Sequence, residues 1–444
     1  MDAVVRTEAV VLRMFQNAKA DPDWAFADAK PSETSKWTHC YHRYPAKFIP
    51  QLVEKLFDEY LGQATEASIN DPFVGSGTTI VSAIARGYRA SGTDINRIAA
   101  LMTRVKATPI EPGYLAKKLA EFERRIAFLN PANGGRSLDT IGAEPVIPAR
   151  HLERIDYWFP PEQKLELGYV LWAIDHEEDP IVRDFLLVAF SHILKNCSIW
   201  LKTSTKPTRD FKKTPERPYE AIMRHLKRME RGNQAFFKVV PERTSAEMGS
   251  FLRVSEGDAR EQPVADGTVD LVVTSSPYVT SYEYADLHQL STIWLDLADD
   301  LIQYKKEFIG TAYKRYEGKH LRSAIAQEIV DRMSETDAKM AKEIEAFFFD
   351  MENVIAESHR ILKTGGRACY VIGDTRLKGV DILNAEAFGD IMVRLGFALD
   401  RVIKREIPSK ILPQTRDAKT GKFAKTADAD NHAYPFEYIV IGKK

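Results

Sequence analysis

The sequence is poor in several features that would assign a protein at once. It has three cysteines in 444 residues, Cys40, Cys197 and Cys369. Their odd number and scattered positions support neither a disulfide framework nor a zinc site, and they fit a reducing cytosol. No run of about 18 apolar residues is present, so a membrane span is not expected. The opening MDAVVRTEAVVLRMF lacks a long apolar stretch and a small-residue cleavage site. No secretory signal is therefore expected, and the location is read as cytoplasmic. Internal repeats and long low-complexity tracts are missing too. Nor is there an excess of one charge: 62 Lys and Arg stand against 63 Asp and Glu, for a net −1. That balance argues against a uniformly basic nucleic-acid binder.

What remains is a chain able to bury a large core and longer than one average domain. Its charge is uneven. Residues 191–240 hold 12 basic and 4 acidic residues, and residues 401–425 hold 8 and 2. Two basic segments on a neutral body fit a local phosphate-tracking groove, or equally two solvated faces.

Residues 66–71 read as a short buried strand that ends at Asp71-Pro72-Phe73-Val74-Gly75-Ser76-Gly77-Thr78-Thr79. Residues 80–86 read as a helix stopped by Gly87, and Arg89 to Asp94 as a second strand ending in an acid. Strand, glycine loop, helix, strand and acid make half of a doubly wound α/β sheet. The rhythm resumes with strands at 252–254 and 269–274, a helix at 347–362 closed by Gly365-Gly366, and a strand at 367–372. A helix at 385–395 and a last strand at 437–441 complete it. Residues 141–250 break this order with helical stretches near 165–174 and 181–194 and a basic, turn-rich segment at 202–217. Three units result: 1–140 with the first half of the sheet, 141–250 as a helical, basic insertion, and 251–444 with the second half. A second helical, charged insertion is expected at about 298–335.

Gly75 and Gly77 allow a tight turn close to a ligand. Thr78 and Thr79 open a helix whose free N–H groups suit a carboxylate or phosphate. Asp94, at the end of the second strand, is placed to accept bonds from ribose hydroxyls. Asp71 is ill suited to a pyrophosphate but suits a cation such as the ammonium of a methionine moiety, and no Walker lysine follows the loop. S-adenosylmethionine meets all of these demands.

The apolar strand VDLVVT delivers Ser275-Ser276-Pro277-Tyr278 at its carboxyl end, the edge where open α/β sheets place ligands. An exocyclic nucleobase amine is a poor nucleophile because its lone pair is conjugated with the ring. The Ser275 hydroxyl and the Ser276 carbonyl could accept its two N–H bonds and free that lone pair. Pro277 would fix the turn and Tyr278 could stack on an extruded base. The bland alternative is a serine-rich turn after a core strand.

These residues resemble the amino-group DNA methyltransferases, the S-adenosylmethionine enzymes that make N4-methylcytosine or N6-methyladenine. Asp71 to Thr79 is similar to their glycine-loop motif. Ser275 to Tyr278 resembles the Ser-Pro-Pro-Tyr form of their catalytic motif, associated with cytosine N4, but has Ser276 where the family has proline. Tyr44 to Phe48 resembles the cofactor-side motif, and Gly257-Asp258 the acid that meets the adenine amine. The resemblance spans roughly residues 37–97 and 251–300, with weaker support through 375. It implies a Rossmann-like class I methyltransferase fold: a mixed seven-stranded α/β sheet with helices on both faces, plus the helical insertion.

It further implies that Phe48, Asp71, Phe73, Gly75, Gly77, Thr78, Asp94 and Asp258 hold the cofactor, and that Ser275, Ser276, Pro277 and Tyr278 hold the base. DNA is the implied partner, contacted by Lys202, Lys206, Arg209, Lys212 and Lys213 of the insertion, Tyr282 after the clamp, and Lys410 and Arg416 before the last strand. No metal is implied. The family admits a cognate restriction or defence nuclease as a further partner. The expected reaction is methylation of cytosine N4 in a flipped-out base. Alternatives are adenine N6, an RNA base, and a non-catalytic nucleic-acid binder that keeps the fold.

Overall fold

The computed structural model describes residues 2–44, 48–133, 142–204, 206–279, 284–309, 320–407, 415–416, 431–432 and 436–444. Seven strands form its central sheet: β1 (Ser68–Asp71), β2 (Arg89–Asp94), β3 (Leu252–Glu256), β4 (Val269–Ser275), β5 (Leu362–Ile372), β6 (Ala398–Glu406) and β7 (Phe436–Lys443). Across the sheet the order is β3-β2-β1-β4-β5-β7-β6. The first five are parallel, and β7 runs antiparallel between β5 and β6. The order turns back at β1 and β4, so the loops that follow these two strands flank the switch point, where such sheets bind ligands.

Strand β4 shows why the centre of the sheet is apolar throughout. Leu271 and Val273 enter a core that includes Leu52, Leu56, Ile80 and Ile84, from helices Pro50–Leu61 and Thr78–Ala85. Val269 and Val272 face the opposite way, into a core with Phe347, Ile355 and Phe388 from helices Ala338–Ile361 and Asn384–Arg394. A strand covered on both faces needs no polar alternation. A third core joins helices Arg97–Ala107 and Pro112–Arg125 to the helices of the insertion, Pro161–Asp175, Pro180–Cys197 and Pro218–Phe237, and to the short helix Gln289–Trp294. No helix among the described residues is long and apolar enough to cross a membrane.

Two elements differ from the sequence reading. Strand β5 begins at Leu362, directly after the helix that ends at Ile361, so Gly365 and Gly366 lie inside it. The pairing explains this: Val269 faces Leu362 but Leu271 faces Arg367, a bulge that absorbs the extra residues, with Gly365 at φ +85°. Strand β6 was not expected. Its sequence ALDRVIKRE is charged because it forms the sheet's edge, where only Ile403 and Arg405 are buried. The second insertion contains helices Leu301–Glu307 and Ala324–Thr336.

Candidate functional site

The loop after β1 is set by its glycines. Gly77 has φ +80° and caps the helix Thr78–Ala85, and a Cβ there would lie 2.9 Å from Thr103 Oγ1. Gly92, on β2, was not singled out in the sequence. A Cβ at Gly92 would sit 2.4 Å from both the Asp71 carbonyl oxygen and Val74 Cγ1, so only glycine lets the loop fold back over β2.

Asp71 and Asp94 hold this loop from either side. Asp94 Oδ2 accepts the Gly75 N–H at 2.8 Å and Oδ1 accepts the Asn96 N–H at 2.9 Å. A carboxylate offers about four lone-pair sites, so both oxygens keep acceptor capacity for a ligand hydroxyl. Burial pushes its pKa up to about 6. Asp71 Oδ1 accepts from Phe73 N at 3.0 Å and from Thr274 Oγ1 at 2.7 Å. Burial pushes Asp71 up to about 7, against the pull of those hydrogen bonds. Thr274 thus ties the glycine loop to the strand that carries the clamp, and Thr79 Oγ1 adds a bond to the Val273 carbonyl at 3.2 Å. The two motifs, some 200 positions apart, form one continuous edge.

Thr78 Oγ1 donates to the Phe48 carbonyl at 3.1 Å and Phe48 packs on the sheet core, which fixes the approach of the segment before the first sheet helix. Residues 45–47 of that motif lie outside the described set. Phe73 is half-buried beside the opposite core. Asp258 follows β3, with Gly257 N bonded to the Asp94 carbonyl at 3.1 Å. Its carboxylate is gripped by Arg260, with Nε at 2.8 and 3.0 Å, and Arg260 in turn pairs with buried Asp350. Lys106, also missed in the sequence, is fully buried and donates to the Ser76 carbonyl at 2.9 Å. Nothing in the sequence of helix Arg97–Ala107 marks its one lysine as buried.

In the clamp, Ser275 is half-buried at the end of β4 and its hydroxyl has no hydrogen-bond partner among the described residues. Ser276 is buried, and its hydroxyl points toward the Val371 carbonyl of β5 at 3.5 Å, a long and weak contact. Its own carbonyl accepts no hydrogen bond from the described residues. Pro277 is half-buried. Tyr278 lies against Gly373, where a Cβ would be 3.0 Å from its ring. The Tyr278 hydroxyl donates to Glu437 Oε2 at 3.2 Å, and Glu437 is itself paired with Arg405. The ring is therefore pinned to β6 and β7.

Tyr44 closes the site from above the glycine loop. Its ring stacks on Tyr284 at 5.8 Å and lies 5.1 Å from the His288 ring, while Gly75 faces it. His288 Nδ1 accepts from Asn96 Nδ2 at 2.9 Å, and burial holds its pKa down to about 4. A column of imidazoles continues into the insertion: His288 and His42 at 6.3 Å, His42 and His192 at 5.4 Å, His192 and His225 stacked at 3.7 Å. His225 Nε2 donates to the Tyr41 carbonyl at 2.7 Å. Burial lowers all four pKa values, that of His225 to about 4. A His225→Gln variant tests this. Because the folded pKa lies below the unfolded one, the unfolded chain takes up a proton first. The wild type therefore loses stability as pH falls from about 6.5 to about 4. In chemical denaturation, the deficit of His225→Gln at pH 7.5 should shrink by up to about 3 kcal/mol at pH 4.5. A constant deficit would mean that folding leaves the pKa of His225 unshifted.

Among the expected nucleic-acid contacts, Lys202, Lys206 and Lys212 are exposed and Arg209 is half-buried. Lys213 does not join them. Its ammonium donates to the Lys195 carbonyl at 2.7 Å and the Trp200 carbonyl at 2.9 Å, and burial brings its pKa down to about 8. It staples the loop from which the others project. Tyr282 and Lys410 lie outside the described residues. Arg416 belongs to a two-residue strand paired with 431–432, described for its backbone alone. Among the described residues there is no cluster of His, Cys, Asp or Glu fit for a metal.

Seven strands in this order, with the glycine loop and the Ser275–Tyr278 turn at the carboxyl edge, make a Rossmann-like class I methyltransferase fold. No family model matches the chain. It is 26% identical over 417 residues to the type II methyltransferase M.MvaI of Kocuria varians, covering 88% of each chain. It is 22% identical over 411 residues to the type II methyltransferase M.AvaI of Nostoc sp., covering 83% of this chain and 81% of that one. A solved candidate DNA modification methylase from Thermus thermophilus, complexed with S-adenosyl-L-methionine, shares 20% identity over 42% of this chain and 53% of its own, with a TM-score of 0.21. At that score the likeness has no bearing on the site. Over more than four fifths of its length the chain is thus similar to these two type II methyltransferases.

Proposed function

We propose that the protein methylates DNA site-specifically at the N4 amine of a flipped-out cytosine. The observation that carries this reading is Ser275, a neutral acceptor whose hydroxyl has no hydrogen-bond partner among the described residues, standing where an adenine-directed clamp has an acid or amide. The bound cofactor supplies a sulfonium methyl group for direct displacement. Asp94 would accept from its ribose, Asp71 and the loop would meet its methionine end, and Gly75 and Gly77 would let the backbone approach. Ser275 and the Ser276 carbonyl would take the two N–H bonds of the amine, so that its lone pair points at the methyl carbon. Tyr278, immobilised by Glu437, would form a wall for the base. Catalysis is then positioning and electrostatics, without a covalent intermediate. Residues 141–250 would read the target.

The test is incubation with labelled S-adenosylmethionine and mixed-sequence DNA, followed by digestion and mass separation of nucleosides. N4-methylcytosine is expected. N6-methyladenine alone would overturn the base assignment, and transfer to RNA in preference to DNA would overturn the substrate class.

A further inference from the structure

An aromatic column runs from the core of the insertion out to solvent, and of its members only Arg209 has been given a role. Trp200 stacks on Trp158 at 4.9 Å and 22°, both fully buried. Tyr157 meets Trp158 edge-on at 5.1 Å and is 42% exposed. The Arg209 guanidinium lies 4.1 Å from the centre of the Tyr157 ring and 4.4 Å from that of Phe211. Phe211 ends the column at 75% exposure, the highest among the large exposed hydrophobic side chains of the described residues. Arg209 Nε is buried without a hydrogen-bond partner among the described residues, so stacking rather than an ion pair holds this arginine.

The column is stiff and well placed. Its hairpin is closed by Leu201 N to the Thr208 carbonyl at 2.8 Å and Asp210 N to the Ile199 carbonyl at 2.7 Å, and Lys213 staples its base. Trp158 Nε1 donates to Gln289 Oε1 at 3.3 Å. Gln289 follows His288, which faces Tyr44 over the glycine loop, so the column leans on the same wall as the catalytic edge. Lys202, Lys206 and Lys212, close to Phe211 in sequence, are exposed.

An exposed aromatic ring, braced from behind by a guanidinium and flanked in sequence by exposed lysines, offers a flat apolar face on which a base can stack. We propose that Phe211, backed by Arg209, is a wedge that enters duplex DNA beside the target and stacks in the space the flipped base leaves. The lysines would hold the adjoining phosphates. The DNA reading given above underlies this proposal. An extruded base leaves its neighbours without a stacking partner, and an aromatic side chain restores one.

Phe211→Ala should fold normally and bind S-adenosylmethionine as the wild type does, because the side chain is exposed and remote from the cofactor loop. Its kcat/KM on fully paired duplex should fall about tenfold or more, the range of one lost base–aromatic stack. On a duplex whose target cytosine faces an abasic site, the loss should be within about threefold, since opening that base is already easy. Phe211→Trp should retain activity on both. Wild-type activity of Phe211→Ala on paired duplex would overturn the wedge, and so would an equal loss on the two substrates, which would make Phe211 a general DNA contact. Failure of the underlying reading shows separately, as a wild-type protein that transfers no methyl group to either duplex, and it would sink the wedge as well.

Discussion

Ser275→Ala is expected to lower methyl transfer a hundredfold or more and to leave the affinity for S-adenosylmethionine within about twofold, the scale of losing one preorganised hydrogen bond at a reacting group. The hydroxyl has no hydrogen-bond partner among the described residues and is half-buried at the end of β4, so removing it leaves no orphaned donor and opens no cavity in the core. Ser276→Ala is the control. The Ser276 hydroxyl is directed to the Val371 carbonyl at 3.5 Å, and the group proposed to act is its main-chain carbonyl. That variant should keep at least a third of wild-type kcat. The two measurements are single-turnover transfer to a duplex substrate and isothermal titration with the cofactor. Equal loss of transfer and of cofactor binding in Ser275→Ala would refute its role as an amine acceptor. Loss in Ser276→Ala comparable to that in Ser275→Ala would mean that its hydroxyl contributes directly.

The motif residues could be found in the sequence because their chemistry is local. A loop such as Gly75-Ser76-Gly77 between a strand and a helix, an acid at the end of the next strand and a clamp at the end of a third are each written in consecutive residues. What joins them is not local. Thr274 reads as one more β-branched core residue, yet its hydroxyl binds Asp71 across the switch point. Asn96 and His288 meet from far-separated positions, and nothing in either neighbourhood announces the bond. His42, His192, His225 and His288 look like unrelated single histidines until four separate segments pack together.

Charge was the weaker guide. Lys213 and Lys212 are adjacent and equivalent in sequence, but a side chain's direction within a turn decides that one staples the loop and the other faces solvent. Strand β6 was hidden for the same reason. At a sheet edge the charged run Asp400, Arg401, Lys404, Arg405 and Glu406 around Val402 and Ile403 resembles a surface loop, and its pairing with β7 reveals its nature. Arg405 then matters for the site, since with Glu437 it fixes Tyr278 from the far end of the chain.

Asp71→Asn should separate stability from binding. Burial raises the Asp71 carboxyl from 3.8 to about 7, so the folded protein keeps a proton that the unfolded chain has lost. Stability from this group is therefore full below about 3.8 and declines as pH rises through about 7. By pH 8 the buried charge costs about 4 kcal/mol relative to a neutral group. Asparagine keeps an oxygen for Phe73 N and Thr274 Oγ1 and carries no charge. Without cofactor, the variant should already lead the wild type by about 1.5 kcal/mol at pH 5, and the lead should grow to about 4 kcal/mol at pH 8, several degrees in melting temperature. With S-adenosylmethionine the order should reverse. An ammonium beside Asp71 favours the ionised carboxylate, so wild-type affinity should rise between pH 6 and pH 8. The variant should bind at least tenfold more weakly at pH 8, with little dependence on pH. Melting curves and titrations at the two pH values check both halves. If Asp71→Asn binds the cofactor as tightly as the wild type, Asp71 serves only to lock the loop to β4. If the variant is less stable at pH 8, the carboxylate is stabilised by more than the hydrogen bonds described, and its charge is part of the fold itself.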